Sequence, residues 1–196
     1  MRVLIAEDDP VLALGLAERL RALGHEPVGP AHDGEAAVTM ALETRPDLLL
    51  LDVQMQRLDG LAVVTRLAEQ GAAWPIVIVT GVDTPDLVAR CVASGVDAFL
   101  VKPVDERELD AALRLAAARH GERAALEAEV GRARRALEDR KTIERAKGIL
   151  QAALGLPEDD AFHRLQQMAR ERNLRLAEVA DRIIDARPVL EPPRRQ

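Results

Sequence analysis

Residues 1–103 alternate short, almost purely apolar runs with longer amphipathic stretches, and few architectures accommodate that alternation. The runs are VLIA (3–6), PVG (27–29), DLLLLD (47–52), PIVIVT (75–80) and AFLV (98–101). Three of them are nearly continuous β-branched or leucine sequence, with no polar residue at every second position. Such strands need cover on both faces. Helical patterns fill the gaps at about 10–23, 34–45, 60–70, 84–94 and 104–119. Leu23-Gly24 closes the first helix, Asp33-Gly34 opens the second, and Ser94-Gly95 ends the fourth. Strands alternating with helices of this length predict an α/β fold, a doubly wound five-stranded parallel sheet of order 2-1-3-4-5. A site in such a sheet lies at the carboxyl ends of the strands.

After residue 103 the strand signal disappears, and an all-α region follows. Residues 104–154 read as helix almost throughout, with Gly121, Gly131 and Gly148 as weak points. Leu126, Val130, Ala133 and Leu137 step by four, three and four, the spacing of a coiled-coil seam. Leu113 upstream sits in a different phase, and the seam lasts only about two heptads. The stretch reads either as a linker helix packed on its own chain or as an intermolecular seam. Gly155-Leu156-Pro157 then breaks the helix. Pro157 suits a first helical turn, and Glu158, Asp159 and Asp160 suit a positive helix end. That helix runs to about Asn173; a last one, 176–187, stops at Pro188, and the tail PVLEPPRRQ reads as frayed. The organisation predicted is a first domain over 1–120, a helical linker or coiled coil over 121–139, and a small three-helix domain over 140–190.

Charge divides the chain in the same way. Residues 1–103 carry 8 Lys and Arg against 15 Asp and Glu, while 104–196 carry 19 against 18. The acidic front and balanced back imply different partners. Cys91 is the single cysteine. A disulfide framework or a multi-cysteine metal site is thereby excluded, and LVARCVASG predicts a buried filler. The N-terminus reaches acidic residues at once, and no apolar run approaches the roughly 20 residues that span a bilayer. A cytoplasmic protein without membrane contact is expected.

The chemistry concentrates where strands end. Glu7 and Asp8 end the first strand, Asp52 the third and Thr80 the fourth, and Lys102 follows the fifth. Singly, each has a bland explanation as a helix cap or turn residue. Together they converge on one edge of the sheet. Carboxylates about 4 Å apart repel by about 4 kcal/mol per pair at an effective dielectric near 20. A hard divalent cation with oxygen ligands relieves this, and Mg²⁺ fits such a site. A carboxylate beside such a cation can take a phosphoryl group, with Lys102 a further positive charge and Thr80 a hydroxyl donor.

With AEDD, DVQMQRLDG, IVT and FLVKP in this order, residues 2–119 resemble the response-regulator receiver domain, a flavodoxin-like fold. The resemblance implies that Asp52 accepts phosphate from a sensor histidine kinase. It implies that Asp8 and Asp52 ligate Mg²⁺ with the backbone carbonyl of Gln54, and that Glu7 joins through water; Asp9 is a flanking acid. Thr80 and Phe99 match a switch pair whose hydroxyl moves toward the phosphate while the ring turns inward. Lys102-Pro103 matches a bond usually cis in this family. Activity beyond uptake and loss of its own phosphate is not implied. Gln56 departs from the family, standing where the loop usually has proline, and a more flexible loop is expected.

Three helices after residue 122 would permit a helix-turn-helix DNA-binding output, or a protein-binding adaptor. The residues resemble instead the ANTAR domain, an RNA-binding antitermination module, over about 55 positions. Arg140, Ile143, Ala146, Lys147, Gly148, Leu150, Gly155, Ala161, Phe162, Leu165, Ala169, Asn173, Leu176 and Ala180 carry the match. The receiver–ANTAR regulators of actinobacteria share this order of domains. Residues 132–147 hold seven Lys and Arg against three Asp and Glu, which serves phosphate contact or a helix laced with ion pairs equally well. Arg140 and Lys147 lie seven apart on one helix face, flanked by Lys141 and Arg145, and these are the expected RNA contacts, with Arg175 beside them. Phe162 is the one aromatic after position 103 and reads as core, so base stacking of the RRM or OB kind is unavailable. The expected behaviour is a phosphorylation-favoured homodimer that binds paired RNA hairpins and blocks a terminator.

Overall fold

A computed structural model describes residues 1–81 and 84–190, with side chains to residue 186. Strands β1 (Arg2–Ala6), β2 (Glu26–Ala31), β3 (Leu48–Asp52), β4 (Ile76–Thr80) and β5 (Ala98–Val101) alternate with helices. The helices are α1 (Pro10–Ala22), α2 (Gly34–Thr44), α3 (Gly60–Glu69), α4 (Pro85–Ala93), α5 (Glu106–Leu154), α6 (Glu158–Arg172) and α7 (Leu176–Leu190). The sheet is parallel throughout, in the order β2-β1-β3-β4-β5.

The three continuous apolar runs are the three inner strands. Val3, Ile5, Leu48, Leu50, Val77 and Val79 pack on one side against Leu16 and Leu20 of α1 and Leu109 and Leu113 of α5. Leu4, Leu49, Leu51, Ile76 and Ile78 pack on the other against Ala41, Val64, Leu67, Leu87 and Cys91. Each fully buried leucine here contributes roughly 1.5–3 kcal/mol. The edge strands β2 and β5 are only partly covered, and Phe99 on β5 is 42% exposed. Four helices of this region begin on a side-chain cap: Asp9, Asp33, Asp59 and Thr84 each accept a backbone N–H of the first turn.

The chain divides into two compact units, Met1–Ala125 and Leu126–Gln196. Gly121, Gly131 and Gly148 do not interrupt α5. In the second unit Ala146 and Leu150 of α5, Ala161, Leu165 and Ala169 of α6, and Val179, Ala180 and Ile183 of α7 form the core. The expected core position of Phe162 is corrected. It is partly exposed, because Ala161 and Leu165, one turn apart, occupy the inward stripe of α6. The last helix also runs past Pro188 to Leu190, since proline's own φ is helical and only one N–H bond is lost. The rest of the tail read as frayed, residues 191–196, lies outside the described residues.

Arg45 closes α2 in the left-handed conformation, φ 46° and ψ 66°, donating its N–H to the Ala41 carbonyl. A side chain there is strained, whereas glycine is not. Arg45→Gly should therefore stabilise the first unit by about 0.5–1 kcal/mol, measured by urea denaturation; an unchanged or lowered midpoint would contradict the strain.

Candidate functional site

Parallel register brings the strand ends together. Ala6 pairs with Leu51, Asp52 with Val79, and Thr80 with Val101, so the residues that follow β1, β3 and β5 share one edge. Lys102 Nζ lies there 2.7 Å from Glu7 Oε2 and 2.8 Å from Asp52 Oδ2. Glu7 and Asp52 are buried, at 1% and 5% exposure. Asp8 completes a cluster with them, its carboxylate oxygen within 4.8 Å of theirs. With all three acids ionised, one lysine leaves a net charge of −2, the charge a divalent cation balances with hard oxygen donors. The donor set thus fits Mg²⁺, which receiver domains use at an acidic pocket.

Burial pushes the Glu7 carboxyl above its ordinary value; the Lys102 hydrogen bond opposes this, and the Asp52 charge adds to it. Burial alone would lower the Lys102 ammonium, but hydrogen bonds to Asp52 and Glu7 outweigh it and hold it above its ordinary value. A raised carboxyl supports folding most fully below the ordinary glutamate range, and that support is lost as pH rises through the raised value. The raised lysine supports it through neutral pH, until alkaline titration removes the charge.

Each expected residue has a definite place. Thr80 is buried at the end of β4, and its carbonyl accepts the Lys102 N–H at 2.8 Å. Phe99 pairs in register with Ile78 on the adjacent strand, on the sheet face Thr80 shares, with its ring exposed. The Lys102-Pro103 bond is cis. Gln54 donates its N–H to Asp52 Oδ1 at 3.2 Å. Asp9, the flanking acid, caps α1 by accepting from Val11 and Leu12. Gln56 is exposed and its carbonyl accepts the Leu58 N–H at 2.7 Å, within a loop that Arg57 joins to Asp33 at 3.2 Å.

In the second unit the basic residues separate by role. Arg140 and Arg145 are exposed and form no ion pair among the described residues. Lys141 pairs with Glu138 at 2.8 Å on the surface. Arg175 is exposed and pairs with Glu178 at 2.9 Å. Lys147 is only 11% exposed, held 2.6 Å from Glu144 and 2.7 Å from Glu158, and so ties α5 to the start of α6.

A residue the motif reading passed over is Gly60. Its N–H donates to the Val53 carbonyl at 3.0 Å. A Cβ there would overlap the Asp52 carbonyl oxygen and lie 3.0 Å from its carbonyl carbon. The Asp59-Gly60 pair in the sequence carried the cap but gave no sign of this approach.

Fold and acidic edge together define a receiver domain, and the comparisons agree. The response regulator receiver domain model matches residues 3–114, and the ANTAR domain model matches 131–184. The transcriptional regulatory protein PdtaR of Mycobacterium tuberculosis (strain CDC 1551 / Oshkosh) is 43% identical over 184 residues, covering 94% of this chain and 89% of that protein. The response regulator MprA of Mycobacterium avium (strain 104) is 39% identical over 114 residues, 58% of this chain and 50% of that one. Among solved structures, the signal receiver domain of a modulated diguanylate cyclase from Desulfovibrio desulfuricans G20 superposes with a TM-score of 0.57 at 31% identity, over 62% of this chain and 97% of that one. The chain belongs to the two-component response regulators, in the group that joins a receiver to an ANTAR domain. Among the described residues no helix is long and apolar enough to cross a membrane.

Gly60→Ala should force the end of β3 to move, because backbone is what its Cβ would meet. The expected result is a loss of about 1–3 kcal/mol in chemical denaturation, with slower phosphate uptake from a small-molecule donor. Wild-type stability and uptake would refute the close approach.

Proposed function

We propose that phosphorylation of Asp52 controls the pairing of two chains and, through it, binding of RNA hairpins that gives transcription antitermination. The observation that carries the first half is the Lys102 ammonium bridging buried Glu7 and Asp52 beside Asp8. Lys102 holds Asp52 Oδ2 and the Gln54 N–H contacts Oδ1, and an Asp52 carboxylate oxygen is the attacking atom. Its bond to phosphorus forms as the bond from phosphorus to the imidazole nitrogen of a histidine kinase breaks. Asp8, Asp52 and the Gln54 carbonyl are the ligands we assign to Mg²⁺, with Glu7 acting through water; when bound, the ion neutralises charge on the phosphoryl oxygens. For the kinase, α1 presents Val11 and Leu12, 76% and 43% exposed, beside Lys102 and Pro103.

Phosphorylation replaces the single negative charge of the Asp52 carboxylate with the roughly −1.5 to −2 of a phosphoryl group. Thr80 and Phe99 answer it in our reading, the hydroxyl approaching the phosphate and the ring leaving its exposed position. The surface around α4 and α5 then favours a homodimer, with residues 104–139 carrying the pairing. A full switch from 1:99 to 99:1 requires about 5.5 kcal/mol of differential stabilisation. In the cytoplasm, two output units then hold paired hairpins of a nascent transcript and block a terminator. The ANTAR match and the exposed cations support this half. Arg140, Lys141 and Arg145 are the contacts we assign first, and Arg175 next. Lys147, expected beside them, has its charge already matched within its own unit.

Acetyl phosphate with Mg²⁺ should add one phosphate, seen by intact mass, and Asp52→Asn should prevent it. Phosphate persisting in that variant would place the acceptor elsewhere. For the output, the phosphorylated full chain should prefer tandem-hairpin RNA over duplex DNA in competition. Arg140→Ala with Arg145→Ala should weaken RNA binding and reduce the salt slope by roughly 0.7–0.9 per lost phosphate contact. A preference for duplex would favour a DNA regulator; RNA affinity unmoved by both substitutions would favour a protein-binding adaptor.

A further inference from the structure

Among the described residues, Asp97 is the one buried carboxylate outside the site above, 2% exposed. It precedes β5, donates its N–H to the Ile76 carbonyl at 3.0 Å and accepts the Ile76 N–H on Oδ2 at 2.9 Å. Its other contacts come from α5. Arg123 Nη1 lies 3.3 Å from Oδ1, and His120 Nδ1 lies 4.0 Å from Oδ2. Arg119 donates to the Asp97 carbonyl at 3.0 Å, and Arg123 to the Gly95 carbonyl at 3.0 Å. A buried carboxylate left without such partners is strongly unfavourable. Arg119 and Arg123 therefore fasten one turn of α5 to the start of β5, and His120 Nδ1, 3.2 Å from Arg123 Nη2, supports Arg123 beside them.

Steps of seven along α5 show what that turn controls. Ala112, Arg119, Leu126 and Ala133 form one line; Ala116, Arg123, Val130 and Leu137 form the next. Ala112 and Ala116 are core of the first unit. Leu126, Val130 and Leu137 are 62%, 44% and 54% exposed. One stripe of the helix is thus buried apolar, then ionic, then bare apolar.

We propose that Asp97 is the anchor of a latch, with Arg119, His120 and Arg123, that fixes the rotation of α5 about its axis. The latch keeps the two arginines of the stripe on their own chain, so that a seam with a second copy begins at Leu126. Unlatched, Arg119 and Arg123 would extend that seam and meet the same arginines of an in-register parallel partner, where like charges repel. The seam half of this proposal rests on the pairing of residues 126–137 put forward above.

The test compares the full-length chain with Asp97→Asn, which keeps an acceptor for Ile76, and with Arg119→Ala combined with Arg123→Ala, which alters only exposed positions. Amides of residues 117–127 should exchange about tenfold faster in both variants, with β1 and β3 amides unchanged. Unaltered exchange in the arginine variant overturns the latch, whether or not Asp97→Asn folds. Sedimentation equilibrium with acetyl phosphate and Mg²⁺ should show the dimer dissociation constant about tenfold weaker in Asp97→Asn, and Arg119→Leu with Arg123→Leu added should restore it. Equal association of wild type and Asp97→Asn overturns the control of the seam. A wild-type chain that stays monomeric sinks the pairing itself, and exchange then decides the latch alone.

Discussion

The Lys102 ammonium joins acids that the chain keeps far apart, Glu7 at 95 positions and Asp52 at 50. It can do so because β1, β3 and β5 end together, and β5 reaches that level only by pairing with β4. The Lys102 N–H on the Thr80 carbonyl sets the height of the side chain along the edge. Taking away the ammonium would leave two buried carboxylates facing each other, a loss of about 3–5 kcal/mol by the usual cost of breaking a buried pair. One interaction therefore holds the last strand to the first and keeps an acidic edge in a state that attracts more positive charge.

Much of this edge was legible because a parallel sheet makes position along a strand equivalent to position in space. Once VLIA, LLLL and IVIV were read as inner strands, Glu7, Asp52 and Thr80 had to lie near one level. The choice among neighbouring acids was less legible. Glu7, Asp8 and Asp9 look alike in sequence, yet only the turn of the chain after Ala6 decides that Asp9 caps α1 while the other two cluster with Asp52. Gly60 and Gly34 show the limit more sharply. Each opens a helix, as capping rules permit, but the reason that neither carries a side chain is the approach of Asp52 or Leu58 from another segment. No local pattern encodes that approach.

The output unit shows a different limit. Six of the positions that carried its resemblance, Ala146, Leu150, Ala161, Leu165, Ala169 and Ala180, are core. A small helical unit needs alanines where helices cross closely, so its motif records packing more than contact. Counting charges over 132–147 could not separate Lys147, clasped by Glu144 and Glu158, from Arg145 two positions away on an open face. The periodicity placed Lys147 on a face with Arg140, but Arg140 is exposed while Lys147 is clasped, a difference that spacing does not show.

The brevity of the apolar seam has a physical reason that its own residues do not show. Two heptads pair poorly by themselves, and the pattern fails upstream at Arg119 and Arg123 rather than fading into unrelated sequence. Those arginines occupy seam positions, and Asp97 occupies them in turn. The stripe is therefore continuous but divided, its first two repeats spent on the chain's own sheet at Ala112, Ala116 and the latch. Under the proposed latch, a short seam beyond it would start pre-oriented and lose less entropy on pairing. On the proposed pairing, two heptads would then suffice where an untethered helix would need more.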